Sequence, residues 1–87
     1  MAFLYILQSL INHKYYIGST VNIKRRIEEH NRGQTKSTRF SKPYKLVFTQ
    51  QFDSINQAKK IEYKLKRFKN RKIIDKIIQD QNVRLRS

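Results

Sequence analysis

The sequence contains no cysteine, one proline and two glycines, and only six of its 87 residues are acidic. Without cysteine, neither a disulfide nor a thiolate metal site supplements the core, which in so short a chain is stable with little margin. The composition suits a reducing cytoplasm, where we expect the protein to reside. No Pro/Gly-rich linker, repeat or low-complexity tract divides the chain. Residues 1–87 therefore read as one domain, with a core at about 3–80 and a basic tail, "QNVRLRS", that should fray. The apolar start "AFLYILQSLI" lacks the basic flank and cleavage site of a signal peptide and is too short to span a bilayer, so no membrane partner is expected. Also missing are CxxC, HExxH, P-loop and GxGxxG motifs and any Ser–His–Asp or Cys–His nucleophile, so zinc hydrolysis and nucleotide-dependent chemistry lack their usual marks.

What the chain has in excess is positive charge. Twenty Lys and Arg against six Asp and Glu give a formal charge of +14. The sequence pI is about 10.5, which points to a polyanionic partner, nucleic acid ahead of an anionic membrane surface. Charge alone does not choose between DNA and RNA.

"FLYILQS" and "KYYIGS" are rich in aromatic and β-branched residues and are joined by the polar "INHK", which predicts a hairpin with strands at about 3–9 and 14–19. "IKRRIEEHNR" lies between an N-cap, Asn22, and Gly33, which suits the left-handed residue past a helix end. "PYKLVFTQQF" predicts a third strand, at an edge because Pro43 cannot donate a ladder bond. Ser54 and Gln57 have capping-box spacing and start a helix through "AKKIEYKLKRF". "RKIIDKIIQD" carries its own stripe of Ile73, Ile74, Ile77 and Ile78, and whether Asn70 divides one helix into two is left open. The order predicts a small α+β domain, a three-stranded antiparallel sheet covered by helices (β-β-α-β-α-α).

At 100° per residue, Arg26 and His30 fall within about 60° of the buried-edge residue Ile23, whereas Arg25 points almost the opposite way. A structural reading, in which Arg26 snorkels and His30 is a cationic cap near the helix end, competes with a functional one. Glu62 falls within the apolar stripe of Ala58, Ile61, Leu65 and Phe68, where a carboxylate needs a partner. That partner is a structural arginine or a cation, and geometry alone favours the salt bridge. Strand alternation sends Tyr15 and Tyr16 to opposite faces, with Gly18 on the Tyr16 side leaving room for something to approach.

Together these residues resemble a known family. "FLY", a second tyrosine eleven residues later in "YIG", an arginine ten residues beyond it, a histidine four later and a glutamate in a following helix are similar to the GIY-YIG nuclease superfamily over about residues 3–80. "YYIGSTVNIKRRIEEHNRG", "STRFSKPYKLVF" and "AKKIEYKLK" are similar to its small single-domain bacterial (UPF0213-like) branch, related to nuclease modules of excision repair, homing and restriction enzymes. The resemblance implies an endonuclease acting on DNA through one divalent metal, Mg²⁺ or Mn²⁺. The family's motif positions fall on Tyr5, Tyr16, Arg26, His30 and Glu62, with Glu62 as metal ligand.

These residue types suit the chemistry. A hard cation takes an oxygen ligand and keeps waters, Arg26 supplies permanent positive charge for a developing phosphorane, and Tyr5 or Tyr16, its pKa lowered by nearby cations, takes a proton from water with His30 assisting. An asparagine that many members carry after the glutamate has Asn70 as its nearest candidate. Lys14, Arg25, Lys36, Arg39 and Lys42 are candidate phosphate contacts of a monomeric protein. The alternative is a DNA- or RNA-binding module that keeps the fold with little turnover, and Glu62 discriminates, since pure binding has no need of it.

Overall fold

Ala2–Ser9 forms the first strand, β1, and its near-continuous apolar sequence suits a strand covered on both faces. It occupies the middle of a three-stranded antiparallel sheet of order β2-β1-β3, in which β2 is Tyr15–Thr20 and β3 is Tyr44–Phe52. The computed structural model describes residues 1–36, 38–68 and 70–81. The strands lie within a residue of the predicted spans, and β3 is at an edge, as Pro43 requires.

Alternation along β1 divides the core. Leu4 and Ile6 face a cluster with Ile17, Phe48, Leu65, Ile74 and Ile77, while Tyr5 and Leu7 face a second cluster with Tyr16, Ile23, Ile27 and Tyr44. The second face is covered by a helix, α1 (Ile23–Asn31), which starts where Asn22 accepts the Arg25 N–H on its side chain. Gly33 follows it at φ 77°, the left-handed conformation anticipated for it. The Asn31 amide ties the helix end to β3, donating to the Tyr44 carbonyl and accepting its N–H at 2.7 Å.

The first face is covered by α2 (Ile55–Phe68) and α3 (Arg71–Asp80). Two helices form rather than one because Asn70 is extended, at φ −120° and ψ 107°, and its side chain accepts the Lys72 N–H. Only half of the anticipated capping box forms at α2. Ser54 Oγ accepts the Gln57 N–H, but Gln57 Oε1 takes the N–H of Asp53 instead of that of Ser54. Of the expected tail, Gln81 closes α3 in a left-handed conformation, and residues 82–87 lie outside the described residues. Among the described residues no helix is long and apolar enough to cross a membrane.

Candidate active site

β1, β2 and α1 bring four of the expected residues together. Tyr5 on β1 stands directly opposite Gly18 on β2, and its ring lies where a Cβ on Gly18 would collide with it. The room left by Gly18 is thus filled by the protein's own Tyr5, which corrects the expectation that the gap is open to an approaching group. Tyr16 packs on the same face, its ring 4.7 Å from that of His30 and 6.4 Å from that of Tyr5.

His30 is hydrogen-bonded at both ring nitrogens. Nδ1 lies 2.7 Å from Thr38 Oγ1, which also comes within 3.5 Å of the Thr35 carbonyl. Nε2 lies 3.1 Å from the Tyr5 hydroxyl, so a neutral ring donates at one nitrogen and accepts at the other. The Tyr5 oxygen in turn accepts from Arg26 Nε at 3.3 Å. Arg26 is also held by Glu29, Nη1 to Oε1 at 3.1 Å. The guanidinium is fixed from two sides, yet its side chain keeps 33 % exposure, against 61 % for Arg25, which points away as the helical geometry required.

Burial and the neighbouring Arg26 charge hold the His30 pKa down to about 4, so the ring is neutral at physiological pH. The cationic cap of the structural reading is therefore absent, because charging a fully buried imidazole is too costly. The Tyr5 hydroxyl is raised, chiefly by burial, although Arg26 pulls the other way. Burial thus opposes the lowering expected at Tyr5. The Arg26 pKa is raised by its hydrogen bond to Tyr5, so its charge is permanent. Tyr16 is half-buried, and its hydroxyl makes no hydrogen bond among the described residues.

Glu62 reaches this group from the opposite face, at the β2 edge. Its Oε1 accepts from Ser19 at 2.6 Å and its Oε2 from Lys66 at 2.8 Å, leaving the side chain 21 % exposed. The salt bridge favoured from sequence exists, but with a lysine one turn along the helix and not with a structural arginine. Lys66 Nζ also lies 5.7 Å from the Tyr16 ring, and the Glu62 charge acts on the Tyr5 hydroxyl, so carboxylate and tyrosines share one region. Tyr15 lies on the other face, donating to Asp75 at 2.6 Å with Arg71 over its ring.

Asn70 caps α3, which accounts for it without a ligand role. Lys14, Arg25, Lys36, Arg39 and Lys42 are all exposed. Lys42 and Arg39 meet beside Gly33 at the end of α1, and Arg39 lies 5.3 Å from the Phe40 ring. Sequence reasoning missed Lys66, Ser19 and Thr38. The four-residue spacing from Glu62 announces Lys66, whereas no local pattern announces the other two.

The geometry accords with the comparisons. The GIY-YIG catalytic domain family matches residues 1–75. A UPF0213 protein of Halobacterium salinarum is 43 % identical over 53 residues, 60 % of this chain and 69 % of its own. One of Streptococcus pneumoniae serotype 4 is 41 % identical over 69 residues, 78 % of this chain and 69 % of its own. The solution NMR structure of the UPF0213 protein BH0048 of Bacillus halodurans superposes with a TM-score of 0.58 at 31 % identity, covering 97 % of this chain and 89 % of that one. The family match spans most of the chain and the fold agrees along nearly all of it, so the chain belongs to the GIY-YIG nuclease superfamily, in its UPF0213 branch.

Proposed function

We propose that the protein is an endonuclease that hydrolyses phosphodiester bonds in DNA with one divalent cation, Mg²⁺ or Mn²⁺. The observation that carries this reading is the one-third-exposed Arg26 side chain, its guanidinium held by Tyr5 and Glu29 beside a Tyr16 hydroxyl that has no partner among the described residues. A guanidinium fixed before substrate arrives stabilises charge that develops on a phosphate without having to reorganise. Tyr16, the less buried tyrosine, orients the attacking water and, once its own hydroxyl proton has passed to solvent, takes the proton of that water. Tyr5 and His30 act through Arg26, because their hydrogen bonds set where its fork points.

The residues at the β2 edge fit a hard cation. Glu62 and Ser19 offer oxygen donors alone, and such ions are commonly held by one or two carboxylates with water and substrate phosphate completing the shell. Glu62, with Ser19 beside it, would hold the cation, which when bound polarises the phosphate and stabilises the leaving oxygen. Lys66 must then release Glu62, and as a flexible cation it can turn to the phosphate instead. The same ion pair is what favours the second reading, a nucleic-acid-binding module, in which Lys66 never leaves.

The test is incubation with labelled single-stranded, duplex, flapped and branched DNA, with Mg²⁺, Mn²⁺ or chelator. Cleavage should require metal and fall by about 10² or more in Arg26→Ala, the scale for removing one preorganised donor. Glu62→Ala should lose metal-dependent cleavage as well. Equal cutting by wild type and both variants would exclude the assignment, and salt-sensitive binding without cutting would leave the binding module.

A further inference from the structure

Apart from Glu62 and Lys66, α2 takes no part in the chemistry above, yet it carries five Lys or Arg residues against that one Glu. Among them Tyr63 is 64 % exposed. It lines a shallow groove with Lys59, Glu62 and Lys66, and the Arg67 guanidinium lies 5.7 Å from its ring. A second groove, with Lys60 and Lys64 on its walls, shares Tyr63 and Lys59 and prolongs the first along the helix.

An exposed aromatic face among cations fits a ligand that is both flat and polyanionic. Unpaired nucleotides are such a ligand. In a duplex the base faces are stacked on one another, so a duplex offers this surface its phosphates but not its rings. Glu62 lies in the same groove, so a strand bound there runs directly from the candidate cation ligand.

We propose that α2 binds a single nucleic-acid strand, with a base stacked on Tyr63 and phosphates on Lys59 and Arg67. Resting on the nuclease reading, this makes the preferred substrates those with an unpaired strand next to the scissile bond. The test is fluorescence anisotropy in chelator with a labelled 20-nucleotide oligo(dT) and a hairpin duplex of equal charge. Tyr63→Ala should weaken binding of the single strand by about tenfold, within the range of one lost base stack, and leave the duplex within about twofold. Tyr63→Phe should bind as wild type, because the ring and not the hydroxyl makes the contact. Equal losses on both ligands, or none on the single strand, overturn the proposal. The readout needs no cleavage, so an inactive protein that shows the Tyr63 effect sinks the nuclease reading and keeps this strand site. A protein that cuts but lacks the Tyr63 effect does the reverse.

Discussion

His30 is a neutral buried imidazole with both ring nitrogens engaged, and Tyr5, Tyr16, Tyr44 and Arg26 surround it. Its folded pKa of about 4 lies below the unfolded value of 6.5, so its contribution to stability is fully present above pH 6.5. As pH falls from 6.5 toward 4 the unfolded chain binds a proton that the folded chain refuses. Up to about 3 kcal/mol of stability should be lost across that window, and urea titrations at pH 7 and pH 4.5 measure it. His30→Gln should flatten the dependence; an unchanged slope would mean that another group carries it. At Gly18, alanine meets the Tyr5 ring and hydroxyl, and both are confined by His30 and Arg26. Gly18→Ala should cost about 1–3 kcal/mol by thermal unfolding, as overpacking does, and should displace Arg26 with Tyr5.

At the scale of elements, three ordinary devices set where helices begin and end. Asn22 and Asn70 cap α1 and α3, and Asn31 anchors the end of α1 to β3. Asn70→Ala should destabilise the fold by about 1 kcal/mol and leave the metal dependence of any cleavage unchanged. A loss of cleavage with stability intact would instead make Asn70 part of the site. The segment carrying Thr38 matters because it closes over His30. Thr38→Val keeps the shape and removes the hydroxyl that holds the ring, so on the nuclease reading it should lower cleavage more than DNA affinity.

For the whole molecule, a formal charge of +14 on 87 residues is self-repulsive. Raising NaCl from low concentration should raise the melting temperature, with about 4–8 °C for each 1 kcal/mol of repulsion screened in a domain this small. The same salt should weaken DNA binding, by about 10³ between 50 and 200 mM if six phosphates are contacted. Opposite responses of stability and affinity to one variable separate the two effects of the charge. If affinity ignores salt, the basic surface is not the binding surface.

Hydrophobic period and capping chemistry act over a few residues, and they determined most of the fold from the sequence alone: the hairpin, the edge strand after Pro43, the Asn22 start and the Gly33 stop. The same periodicity separated Arg26 from Arg25 and Tyr16 from Tyr15, because it says which residues share a face. It could not say what fills that face. That the space over Gly18 belongs to Tyr5, that His30 is neutral, and that Glu62 is met by Ser19 and Lys66 depend on contacts between residues far apart in the chain. Burial and hydrogen-bond partners, which shift the pKa values of Tyr5 and His30, arise only when β1, β2, α1 and the Thr38 segment close on one another. The sequence thus determined which groups share one face, and tertiary structure decided how each of them is buried and hydrogen-bonded.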